Sequence, residues 1–239
     1  MKKETGGIKN RLKEIPEGAA AVILLVVMIL SAALLAEKCC SDRRGKAEYQ
    51  LIKKIAGMEE NKDRDCQQEE CFMPLPDNRR LLEINSDYAG WICIPGTSVS
   101  YPVVYPKDNQ EYLKQTFEGQ KNLCGCLFFE ASRPPFSSEN TVIYGHNMKS
   151  GEMFGSLKKY REEEFFRQNR KIYFCYGEQW AEYQIQKVYL TDSGDKSPYE
   201  PGGTDLGKIC LTLSTCYGKE HRLIIQAKKF ISTETVPRI

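Results

Sequence analysis

Histidine is nearly absent: among 239 residues only His146 and His221 carry an imidazole. No paired CxxC spacing accompanies the ten cysteines. Structural zinc sites draw on His and on closely spaced Cys pairs, so no metal is expected, and no organic cofactor is called for. Net charge is equally scant. The formal value is +2, and the first seventeen residues, with five Lys/Arg against three Asp/Glu, account for all of it. A body without a basic excess lacks the electrostatic footprint of a nucleic-acid binder. There is no internal repeat and no low-complexity tract, so the default is one globular domain with extensions.

Long apolar runs are also missing, with one exception. Gly18 to Ala36 is nineteen residues without a charge, about 28 Å as a helix and close to the hydrocarbon thickness of a bilayer. It is read as a membrane anchor. A cleaved signal peptide is the competing reading, but the run exceeds a usual apolar core and Glu37-Lys38 is no small-residue cleavage site. Lys38 likewise speaks against a lipid-modified Cys39. Basic residues flank the span on both sides, so the positive-inside rule gives no orientation. The expected division is 1–17 tail, 18–36 anchor, 37–80 helical linker, 81–232 main globular domain and 233–239 tail.

In the linker, Ala47, Leu51, Ile52, Ile55 and Met58 fall on one helical face, which suits a solvated stalk or a helix packed on the domain. Glu59 to Asp77 reads as loop or a second short helix. Beyond Trp91 short strands dominate: Trp91 to Ile94, Tyr101 to Val104 with Pro102 marking an edge or bulge, and Leu127 to Phe129. Asn109 to Phe117 reads as a short helix, and Met153, Phe154, Leu157 and Tyr160 as core at helical spacing. Lys171 to Tyr176 and Gln179 to Leu190 form a hairpin around Gly177-Glu178. Many short strands and few helices indicate a closed barrel or sandwich. Cys93, Cys126, Cys175 and Cys210 sit in the apolar runs, where a thiol behaves as a small hydrophobe. Cys66 with Cys71, or Cys124 with Cys126, are the spacings left for pairing.

The chemistry concentrates in two strand ends. Val142, Ile143 and Tyr144 read as a buried strand ending at Gly145, from which His146 projects. Ile209 to Cys216 is a second strand, with Leu211 and Leu213 alternating against Thr212 and Ser214, and Tyr217-Gly218 offers a turn into a third run opened by Arg222. A short antiparallel turn would leave Cys216 and Arg222 neighbours. A cation beside a thiol favours the nucleophilic thiolate, and a guanidinium fork can hold an oxyanion. His221, in a charged turn, is expected at the surface, and Arg238 is a poor substitute for Arg222.

TLSTC (Thr212 to Cys216) followed by Arg222, together with YGHNM (Tyr144 to Met148) and GEMFGSL (Gly151 to Leu157), resembles the active-site segments of the class B sortases. The resemblance runs from about Leu81 to Phe230 and takes in NSDYAGWICIPGT, YPVVYPKDNQEYL and GCLFF. It implies a mainly β fold, a closed eight-stranded barrel with peripheral helices. It implies Cys216 as nucleophile, His146 as general acid and then base, and Arg222 as the contact to oxyanion or substrate carbonyl. Asn109, Leu113 and Ser214 match positions that line the sorting-peptide groove.

By the same resemblance the chain is a transpeptidase of the outer membrane face, N-terminus inside. It would cleave a C-terminal sorting motif of a secreted protein at a Thr carbonyl, form a thioester, and pass the acyl group to a peptidoglycan precursor or pilin amine. The alternative is a cysteine peptidase that ends in hydrolysis; a non-catalytic binding module is the third reading. Two departures concern the recognised peptide: Thr191 to Lys208 is too short and rich in Gly, Pro and Asp for the long helix of the class B pattern, and the connection from Cys216 to Arg222 is short.

Overall fold

The computed structural model describes residues 17–59, 73–200 and 210–230. The terminal tails, Cys66, Cys71, Arg238 and the end of the connection before the cysteine strand lie outside the described residues.

Helix α1 (Glu17–Ile55) begins with the uncharged run. Val22, Leu24 and Leu30 in that run are exposed, and α1 is long and apolar enough to cross a membrane. Past Arg43 the chain belongs to a second compact unit, in which the last turns of α1 pack on a barrel. The packed face is Gly45, Tyr49, Ile52 and Ala56, at i, i+4, i+7 and i+11. It differs from the face expected from apolar periodicity, since Leu51 is 51% exposed. Periodicity counted aliphatic side chains, whereas the contact is made by a tyrosine and by a glycine whose added Cβ would stand 2.8 Å from the Cys124 sulfur.

Eight strands close into the expected barrel. They are β1 (Tyr88–Cys93), β2 (Ser100–Val104), β3 (Leu127–Phe129), β4 (Asn140–Tyr144), β5 (Lys171–Tyr176), β6 (Gln179–Asp192), β7 (Cys210–Tyr217) and β8 (His221–Lys229). Their order around the barrel is β1-β2-β3-β4-β7-β8-β6-β5. Pro102 pairs with Trp91 on β1, while the β3 ladder begins at Val103, so the missing N–H costs no bond on that side. Helices α2 (Asn78–Ile84) and α3 (Glu163–Gln168) are peripheral.

The expected short helix at Asn109 to Phe117 needs correction. Asn109 to Phe117 contains only a 3-10 turn, Glu111–Leu113. Asp108 Oδ1 accepts from the backbone N–H groups of Gln110 and Glu111 at 2.7 and 3.0 Å, a local alternative to the helical ladder. A turn at Gly119 then folds the chain back to pair Gln115 with Lys121. Both faces of β7 are buried: Thr212, Ser214 and Thr215 are as buried as Leu211 and Leu213.

Trp91, Phe129, Phe174, Ile143 and Leu127 fill the core, and Met153, Phe154, Leu157 and Tyr160 are buried against it as expected. Trp91 is fully buried on β1 and its indole N–H donates to Ser100 Oγ at 3.1 Å. Trp91→Ala should cost roughly 3–5 kcal/mol; a denaturant midpoint shifted by less than a third of that would show that the surrounding core collapses into the space.

Candidate active site

The parallel pairing of β4 with β7 decides where the chemistry sits. Asn140 to Tyr144 run beside Cys210 to Ser214 in register, so the C-terminal ends of both strands reach the same rim. His146 follows β4 there, and Cys216 lies at the end of β7. The β7–β8 hairpin then returns at once, with Cys216 and Arg222 as direct register partners, which puts their Cα atoms about 4.5–5.5 Å apart with side chains on one face.

Hydrogen bonds fasten the two strand ends on either side of His146. Gly145 N–H donates to the Ser214 carbonyl at 3.2 Å, and Thr215 Oγ1 donates to the Gly145 carbonyl at 2.7 Å. Asn147 Nδ2 donates to the Cys216 carbonyl at 2.8 Å. Gly145 is needed for close approach, because a Cβ there would stand 2.7 Å from the Phe154 ring. His146 Nε2 lies 2.6 Å from the Leu113 carbonyl oxygen. A carbonyl only accepts, so this nitrogen carries a hydrogen and Nδ1 is left as the other ring nitrogen.

His146, Cys216 and Arg222 share a cavity of about 710 Å³ with Asn109, Leu113 and Ser214, so the structure brings all six sequence-predicted residues together. Cys216 is exposed, His146 and Arg222 are half-buried, and Ser214 is buried. Ser214 Oγ and the Tyr199 hydroxyl are 3.0 Å apart. Asn109 Oδ1 accepts from the Ala131 N–H at 2.8 Å, which ties it to the wall of the cavity. His221 is exposed, 3.6 Å from Asp192.

Sequence reasoning missed the aromatic wall. Tyr144 and Tyr199 pack at 5.7 Å between ring centroids and line the same cavity; burial pushes both phenols up, so they stay neutral. The signal was present in the hydroxyls of β7. Thr212 Oγ1 donates to Asn140 Oδ1 at 2.7 Å, and Asn140 Nδ2 donates to the Pro198 carbonyl at 2.9 Å. Buried hydroxyls on a strand need partners, and here Asn140 serves Thr212 while Tyr199 itself serves Ser214. Among the described residues no group of three His, Cys, Asp or Glu is placed to hold a metal ion.

A closed eight-stranded barrel with thiol, imidazole and guanidinium gathered at one rim is the architecture of a sortase. Residues 92–230 match the family model of the Sortase domain, and the chain belongs to that family. Its relatives are of class B: Sortase B of Listeria monocytogenes is 36% identical over 114 residues, 47% of this chain and 46% of that protein. Sortase B of Staphylococcus aureus is 32% identical over 123 residues, 50% of each. The chain thus spans about half the length of the curated relatives it matches. The crystal structure of sortase B from B. anthracis in complex with AAEK1 superposes with a TM-score of 0.63 at 28% identity, over 80% of this chain and 98% of that one.

Proposed function

We propose that the chain is a membrane-anchored cysteine transpeptidase that acts on a C-terminal sorting motif of secreted proteins. The observation that carries this reading is the convergence of Cys216, His146 and Arg222 on one rim cavity, with Cys216 and Arg222 in register across a hairpin. Cys216 as thiolate attacks the carbonyl of a Thr in the motif, and Arg222 stabilises the oxyanion of the tetrahedral intermediate. The C–N bond breaks as protonated His146 gives its proton to the leaving amine, and a thioester remains on Cys216. An incoming amine, from a peptidoglycan precursor or a pilin lysine, then attacks the thioester. His146 takes its proton, and the thiolate leaves. Asn109, Leu113 and Ser214 line the path of the peptide, and α1 holds the enzyme in the membrane with the N-terminus inside and the barrel outside.

Intact-mass spectrometry of the full chain in detergent, incubated with sorting-type peptides with and without an oligoglycine acceptor, tests the reading. An adduct on Cys216 that resolves into acceptor-joined product is the expected result. Hydrolysed peptide in unchanged yield with or without acceptor would assign the chain to the peptidases instead, and no adduct with any peptide would overturn both.

A further inference from the structure

The bond between His146 Nε2 and the Leu113 carbonyl fixes the imidazole only as well as the loop carrying that carbonyl is fixed. That loop is closed on itself by backbone bonds from Cys126 N–H to the Tyr112 carbonyl, at 3.0 Å, and from Asn122 N–H to the Lys114 carbonyl, at 2.9 Å. Its inner surface is Gly125, in the left-handed region at φ +59. A Cβ on Gly125 would stand 2.5 Å from the Tyr112 oxygen, 3.1 Å from the Leu113 oxygen and 3.0 Å from His146 Cδ2. Carbonyl, glycine and imidazole are therefore in mutual contact.

Two neighbouring side chains of α1 hold this loop, and only one of them reaches Gly125. The Tyr49 hydroxyl, buried on α1, donates to the Gly125 carbonyl at 2.6 Å and accepts from the Phe117 N–H at 3.2 Å. From the adjacent residue, Glu48 Oε1 accepts from the Glu118 N–H at 3.1 Å. A single hydroxyl thus joins both legs of the loop. We infer that Tyr49 is a positioning residue for His146: through Gly125 and the Leu113 carbonyl it sets the orientation and tautomer of the imidazole. This role rests on the acid–base function proposed for His146.

The test uses the full chain with Tyr49→Phe, which keeps the ring and removes the O–H. Because the chain has only two histidines, the imidazole 15N spectrum contains His146 and one internal reference, His221. At a pH where both rings are neutral, His146 of the unaltered protein should show the Nε2–H tautomer. In Tyr49→Phe its signals should move toward a mixture of tautomers while those of His221 stay, and kcat should fall by about 10–30-fold with KM changed less than threefold. Trp91→Phe, which loses a buried N–H donor and core volume elsewhere in the barrel, serves as the control for general destabilisation and should leave His146 unmoved. Gly125→Ala, which presses on the ring directly while keeping Tyr49, should move the same signals. If Tyr49→Phe leaves the His146 spectrum as it was, or loses no more kcat than Trp91→Phe, the positioning role is overturned. If the His146 signals move but both Tyr49→Phe and His146→Ala keep full turnover, the positioning contact stands and the catalytic reading of His146 falls.

Discussion

Cys216→Ala should abolish the acyl adduct and lower transpeptidation by about 10⁴-fold or more, the scale on which removal of a covalent nucleophile acts. The loss should leave the fold untouched. Cys216 is exposed at the end of β7, its backbone carbonyl rather than its sulfur accepts from Asn147, and the core residues of the strand are Leu211 and Leu213. The unfolding midpoint should therefore stay within about 0.5 kcal/mol of the parent. Cys216→Ser should be nearly as inactive, because a hydroxyl does not ionise in the range where a thiol does. The other barrel thiols offer no substitute. Burial pushes Cys126 up to about 12 and Cys175 up to about 11, so both are protonated at neutral pH and shielded from reagents. Among the described cysteines, brief alkylation with iodoacetamide should label Cys216 together with the exposed Cys39 and Cys40, and only the Cys216 adduct should correlate with lost turnover. Activity retained in the fully alkylated protein would remove the thiol from the mechanism.

The half of the rim formed by Cys216 and Arg222 was legible in the sequence because it is built from short-range rules. The place of His146 beside it rests on the long-range pairing of β4 with β7 and was implied only by the family resemblance. Gly145 and Gly218 punctuate apolar runs, and a turn of few residues after Tyr217 leaves one register for Arg222 opposite Cys216. The β5–β6 hairpin was readable for the same reason, with Gly177 at positive φ in its turn. What escaped depends on contacts between segments far apart in the chain. The buried face of α1 is decided by the loop that receives Tyr49, 68 residues away at Phe117. The burial of Thr212 and Ser214 is decided by Asn140 and Tyr199. Asn109 to Phe117 has helix-like composition, but the Asp108 carboxylate captures the first N–H groups and the pairing of Gln115 with Lys121 turns the chain away. Periodicity contains none of these partners.

Arg222→Ala should lower kcat by about 10²–10³-fold with a much smaller effect on KM, the signature of a donor that acts on charge developed in the transition state. The placement argues for this. Arg222 opens β8 opposite Cys216 on one side and Thr191 on the other, so its backbone is held by two ladders while its half-buried side chain reaches the cavity. A guanidinium carried on a backbone held at that point is worth more to an oxyanion than a charge on a mobile loop, since less reorganisation is needed when the charge forms. Arg222→Lys separates charge from geometry. A lysine keeps the positive charge but presents it as a single point on a flexible stem, and it should recover only part of the loss, leaving kcat about 10–100-fold below the parent. Full recovery by lysine would mean that a nearby positive charge is enough, and the donor fork irrelevant. A loss expressed in KM with kcat preserved would instead place Arg222 on a ground-state carbonyl of the bound peptide, where it would select substrate without stabilising the tetrahedral intermediate.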